Sequence, residues 1–306
     1  MRVRESRLRD LLRLLVWYPL RLVVERLPPR TGLRVLFGLG RLHRACSRGR
    51  RDRVLAAVSL LSPDMSPDAR QRQVLEFFRT HYANQLGIFL FPHLTAETFG
   101  DLLEIDGRQH LDAALAAGRG VVLPIAHFGP TQLPLTALGL SGYPMLQIGY
   151  QNADGLTFIG KHVAYRLRLL YESRLPARIV PPGPGTRQAI AHLRAGGVVM
   201  TTADDGPGQP LFGRHADFDF PGGPLRAPLG PARLALSTGA ALVPVFLVPG
   251  RSAPYRLEID AALVPPEGAD KDAAALALTR AFLDRHARAV AADPGWWHSL
   301  ESHIFP

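Results

Sequence analysis

His127 is the residue best placed to do chemistry. It ends an apolar run, residues 121–126 (VVLPIA), of the kind that forms a buried strand. Gly129 and Pro130 break that strand at once, and Pro130 suits the start of a helix predicted over residues 131–140. A histidine at the carboxyl lip of a strand, where a helix begins, lies where open α/β sheets bind ligands. There an imidazole can serve as a general base, taking the proton from an attacking hydroxyl or amine. Gln132 follows five positions later, in the first helical turn, and its amide oxygen can accept the ring N–H. The bland alternative for His127 is a core histidine bonded to the backbone. Asp204 and Asp205 end a second apolar strand, residues 198–202, and can either face the imidazole or cap the loop that follows. No G-x-S-x-G occurs, which argues against a serine hydrolase. The other histidines, among them His81, His162 and His215, lack metal-ligand spacing, so no metal is expected.

The elements that must position these residues alternate between strand and helix. Helical patterning runs over residues 54–95, 109–117, 154–171, 186–194, 228–238 and 270–291. Strands are predicted at 103–105, 145–150, 178–180, 241–248 and 255–259, besides those ending at His127 and Asp204. This alternation implies an α/β fold with a mostly parallel central sheet flanked by helices. With 306 residues, 47% of them hydrophobic, the chain can bury a full core. One cysteine, Cys46, excludes an intrachain disulfide.

The net charge of +10 is concentrated at one end. Residues 1–53 hold 15 arginines against four acids, a net of +11, and the remainder nets −1. We therefore divide the chain into a basic amphipathic segment, 1–53, and an α/β domain, 54–306. Leu8, Leu11, Leu12, Leu15 and Tyr18 share one side of a helical wheel, with Arg9, Asp10, Arg13 and Arg21 opposite. The longest uncharged run there is seven residues, 14–20, and a spanning helix needs roughly 20. The pattern fits an in-plane helix on an anionic membrane surface, or a surface helix packed on the core. No nucleic-acid module accompanies the arginines, so no nucleic-acid partner is expected.

The string H-F-G-P-T-Q, residues 127–132, resembles the H-x-x-x-x-[D/E] motif of the lysophospholipid acyltransferase superfamily. The nearest variant is the H-F-G-N-W-E of the bacterial lipid A biosynthesis (lauroyl/myristoyl) acyltransferases. His127, Phe128 and Gly129 match, and Gln132 replaces the acid. Three further blocks are similar to that family in the same order: VVMTTADD at 198–205, the F-x-F-x-G…G-P-A-x-L-A run at 218–245, and PGWWH at 294–298.

The resemblance, which spans roughly residues 10–300, implies a glycerolipid acyltransferase-like fold. It implies transfer of a fatty acyl group from an acyl carrier protein or coenzyme A thioester to a hydroxyl or amine of a lipid acceptor. No metal or organic cofactor is implied, the acyl-ACP or acyl-CoA being a substrate. The implied location is peripheral, on the cytoplasmic face of the bacterial inner membrane. His127 would be the base, and apolar strand-end residues near it would hold the chain. Phe128 and Gly129, in the motif, would line the substrate side. Asn152, Arg166 and Arg168 would bind an acceptor phosphate or an acidic carrier, unless the arginines form a solvated face. Asp204, Asp205 and Arg233 complete the substrate side. Helix starts at Thr131 and near Leu229 would offer N–H groups to an oxyanion or a phosphate.

Gln132 is compatible with three arrangements: a neutral His–Gln dyad, substitution by a nearby carboxylate such as Asp204 or Asp205, or an inactive acyl-chain-binding protein on the same fold. A neutral dyad predicts that glutamate at 132 keeps or raises activity. An acyltransferase of secondary metabolism is a further reading.

Overall fold

The structure, a computed structural model, describes residues 7–151, 153, 155–205 and 211–305, the side chain of Arg9 excepted. Helices dominate the first third. α1 (Arg7–Leu15) runs through a π-helical turn, Val16–Leu20, into the short α2 (Arg21–Val24). α3 (Pro29–Cys46) and α4 (Arg48–Leu61) follow, and then α5 (Pro67–Leu86) and a 3-10 segment, Gly87–His93. The helical stretch expected over 54–95 is therefore interrupted at 62–66. There Ser66 accepts from Ala69 N (3.3 Å) and Pro67 opens α5, a cap and a fixed φ that restart the helix. α3, absent from the sequence reading, packs on α5. Its Leu33 and Leu36, with Trp17 and Val24 before it, share one core with the strands of the α/β domain.

Then strands and helices alternate: β1 (Leu103–Asp106), α6 (Arg108–Ala116), β2 (Val121–Ile125), α7 (Gln132–Leu140), β3 (Met145–Ile148), α8 (Tyr165–Glu172), β4 (Ala177–Val180), α9 (Thr186–Arg194) and β5 (Val198–Thr202). A π-helical turn, Gly160–Ala164, leads into α8, so the predicted 154–171 helix begins late. A hairpin that the sequence reading missed, β6 (His215–Phe218) and β7 (Leu225–Pro228), precedes α10 (Gly230–Thr238). β8 (Ala241–Leu242), β9 (Val245–Pro249), β10 (Tyr255–Ile259), α11 (Lys271–Ala292) and α12 (Leu300–Ile304) complete the chain.

Five strands form an entirely parallel sheet in the order β4-β3-β5-β2-β8. A second sheet, β1-β10-β9, pairs β9 and β10 antiparallel. The strand expected over 241–248 is thus two strands in two sheets. Val243 N still bonds Val122 O (2.9 Å), but Pro244 has no N–H to continue the ladder, and the chain crosses over. β2 is buried along its whole length, as a continuous apolar run in a parallel sheet should be. Helices cover both faces, and the α/β expectation stands.

Candidate active site

The register of β2 against β5 creates the site. Ile125 lies opposite Thr202, and Ala203 N donates to Ile125 O (2.9 Å). Two residues past each end, His127 and Asp204 therefore meet, although 77 positions separate them. Asp204 Oδ1 accepts from the His127 backbone N–H (2.8 Å) and from ring Nδ1 (2.9 Å). Nδ1 thus carries the hydrogen, and the basic lone pair falls on Nε2.

The loop after His127 is held from the C-terminus. Gly129 N donates to Trp296 O (3.0 Å), His298 N donates to His127 O (2.9 Å), and Phe128 bridges Trp297 antiparallel. Gly129 sits at φ +69°, and a Cβ there would meet Leu247 at 2.9 Å and Trp296 at 3.0 Å, so both conformation and space require glycine. The H-F-G and PGWWH blocks are one structural unit. Phe128 is buried against the rings of Trp296 and His286, supporting the loop from within.

Asp204 is fully buried. Burial pushes its carboxyl upward, but the charge and hydrogen bonds of His127, with His286 behind it, bring it down to about 2. Burial opposes charging of His127, and the adjacent Asp204 more than offsets this, so its pKa is held above the ordinary 6.5. His286 on α11 places Nε2 3.8 Å from Asp204 Oδ2, and burial pushes it down to about 4. His298 is likewise pushed down by burial, to about 3, and its Nδ1 lies 3.3 Å from Asn84 Nδ2. Asp205 forms an ion pair with His215 Nε2 (2.9 Å); burial raises its pKa against the pull of that histidine.

Gln132 faces elsewhere. Its Nε2 donates to Glu172 Oε1 (3.0 Å), which also accepts from Arg168 Nε (2.8 Å). Arg166, two residues before Arg168 on α8, is exposed. Arg233 bonds Asp272 on α11, in a surface cluster with Arg214. Asn152 lies outside the described residues. The N–H groups expected to serve an oxyanion are already bonded: Thr131 N donates to Asn84 Oδ1 (3.2 Å), and Leu229 N to Arg214 O (2.9 Å). Among the described residues, no three His, Cys, Asp or Glu side chains are grouped to hold a metal.

A narrow apolar cleft opens beside this loop, about 340 Å³ of empty space with its mouth included. Ala83, Gly87, Ile88, Leu90 and Leu133 line it, and Gln132 stands at its wall. The cleft is built mainly from α5 and the 3-10 segment, with Tyr255 at the start of β10 also lining it.

The bacterial lipid A biosynthesis acyltransferase family matches residues 4–303. The chain belongs to that family. It is an acyltransferase. A phosphatidylinositol mannoside acyltransferase of Mycobacterium tuberculosis is 30% identical over 254 residues, 81% of this chain and 74% of the relative. One from Mycolicibacterium smegmatis is 28% identical over 288 residues, 90% and 86% of the two chains. The solved structure of the 1-acyl-sn-glycerophosphate acyltransferase PlsC from Thermotoga maritima covers 85% of this chain and 97% of its own, at 14% identity and a TM-score of 0.37.

Of the residues that the family motif singles out, the structure brings together His127, Asp204 and, one step out, Asp205. It sets Gln132 and Arg168 in a separate cluster, and Arg233 in another. Sequence reading missed Asn84, Glu172, His215, His286 and His298 as neighbours of the site. Only PGWWH carried a signal that would have included one of them, His298.

Proposed function

We propose that this acyltransferase moves a fatty acyl group from an acyl carrier protein or coenzyme A thioester to a hydroxyl of a sugar-bearing lipid at the membrane surface. The observation that carries this reading is the His127–Asp204 pair at the adjoining ends of β2 and β5. His127 Nε2 takes the proton from the acceptor hydroxyl as its oxygen attacks the thioester carbonyl. The imidazolium that forms is stabilised by the buried Asp204 charge. Collapse of the tetrahedral intermediate breaks the C–S bond, and the imidazolium returns the proton to the departing sulfur. Ester and thiol result.

The relatives, named for a phosphatidylinositol mannoside, support a glycosylated phospholipid as the acceptor class. The exposed apolar face of α1 and the net charge of +11 in residues 1–53 support action at an anionic bilayer, peripherally and on the cytoplasmic side where the thioesters are supplied. No described helix is long and apolar enough to cross a membrane.

The test is transfer of labelled acyl chains from acyl carrier protein and coenzyme A to a panel of phosphoglycolipids. Product formed by the wild type and lost in His127→Ala is expected; equal product from both would overturn the reading. The cleft is assigned to the acyl chain. A Cβ at Gly87 meets nothing within 4 Å, and its φ of −57° suits any residue. Gly87→Leu should therefore fold, fill the cleft and move the preferred chain length downward. An unchanged preference would place the chain elsewhere.

A further inference from the structure

Glu172 is a buried acid that the His127–Asp204 pair does not use, with its side chain only 5% exposed. Its Oε1 accepts from Gln132 Nε2 (3.0 Å) and Arg168 Nε (2.8 Å), and its Oε2 from Gln151 Nε2 (2.8 Å). These donors come from three segments: the first residue of α7, the loop leaving β3, and the preceding turn of α8. The first of them directly continues the His127 loop, and β3 lies beside β5, past whose end stands Asp204. A buried carboxylate is tolerated when its oxygens are bonded and its charge is paired, and both conditions hold here.

Gln132 and Glu172 are chemically matched. One charge is balanced by one guanidinium, and the amide supplies a donor that a carboxylate lacks. With glutamate at 132, two carboxylates would share Arg168 at hydrogen-bond distance. One would have to take a proton or leave the cluster. α7 also needs outside support at its start. Thr131 makes no side-chain cap, and its N–H goes to Asn84. A carboxylate beside that first turn is favoured by the helix dipole.

We propose that Glu172 is the positioning acid of this site. It sets a carboxylate against the residue at which the motif has its acid, while Asp204 orients the imidazole itself. By binding Gln132, Gln151 and Arg168 it holds the start of α7 and the β3 loop in place beside His127. Positions 132 and 172 then act as one exchangeable acid–amide pair. This rests on the acyl-transfer reading above, and it reverses the expectation that glutamate at 132 keeps or raises activity.

The experiment compares four full-length proteins, wild type, Gln132→Glu, Glu172→Gln and the double exchange, with His127→Ala as the blank for transfer. Each is assayed for palmitoyl transfer from palmitoyl-coenzyme A to phosphatidylinositol mannoside, and for thermal unfolding. Each single change should lower kcat about tenfold or more, with KM for the thioester shifted less than about threefold. The double exchange should return kcat to within about threefold of wild type, because neighbouring sites couple non-additively.

A Gln132→Glu protein at the wild-type rate would overturn the proposal. So would a double exchange no faster than the slower single variant. Recovery of melting temperature without recovery of kcat would also overturn it, leaving a merely structural pair. If the wild type shows no transfer dependent on His127, the acyl-transfer reading fails instead. The four melting temperatures then decide the pairing: restoration in the double exchange supports it, and additive losses overturn it.

Discussion

The imidazole of His127 is tied to one carboxylate oxygen twice, through its ring and through its own backbone N–H. That oxygen sets both the tautomer and the proton affinity of the proposed base. His127 must be neutral to accept a proton, and its pKa lies above 6.5. Activity should therefore rise with pH through that raised value. Asp204→Asn removes the charge that raises it. The acid limb of kcat should then move to lower pH, while kcat falls by roughly 10²–10⁴, the upper end matching the same change in a protease triad. A limb that stays in place would mean that another group titrates. Gln132 could not have been assigned from its position alone. Five residues after the histidine places it in the right helical turn, but its partner is chosen by α8, which supplies Glu172 from 40 residues away.

At the scale of elements, α1 shows two faces with opposite fates. Leu8, Leu11 and Leu15 are 69%, 56% and 59% exposed, while Asp10 is buried. Asp10 accepts from the N–H groups of Ile159 (3.0 Å) and Gly160 (2.9 Å) and from the Thr157 hydroxyl, capping the helix that becomes α8. Removing the N-terminal segment would take the buried Trp17 and Val24 out of the core, uncover Phe89, on which Trp17 packs, and uncap that helix, confounding any membrane assay. The triple change Leu8→Glu, Leu12→Glu and Leu15→Glu alters exposed positions only. It should abolish sedimentation with anionic vesicles while leaving the melting temperature within a few degrees. Undiminished sedimentation would sink the membrane role of α1. The apolar stripe was legible because helical periodicity is local. The attachment of Asp10 was not, because its partners lie about 150 positions away.

Across the whole molecule, the buried His286 and the half-buried His298 make folding sensitive to acid. His286, at about 4, and His298, at about 3, are both lowered from 6.5. An unfolded chain binds protons at these sites from pH 6.5 downward and the folded one does not, so stability is lost as pH falls through that window. Asp204, lowered to about 2, contributes above pH 3.8 and loses its contribution only as pH falls below that. His127, raised, acts in the opposite sense: its contribution is full below pH 6.5 and is lost as pH rises through its folded value. His286→Phe, set among Phe128, Phe220 and Phe282, should remove about 2 kcal/mol of the wild-type stability difference between pH 7 and pH 5, measured by denaturant unfolding. An unchanged difference would clear His286 of that role. The sequence by itself determined the alternation of strands and helices, the histidine at a strand lip and the amphipathic first helix, because each is written in spacing over a few residues. The tertiary structure alone decided which acid faces His127, which acid faces Gln132, where the chain changes sheets and where an apolar cleft opens. Those choices depend on strand register and helix packing between distant segments, and no local pattern encodes them.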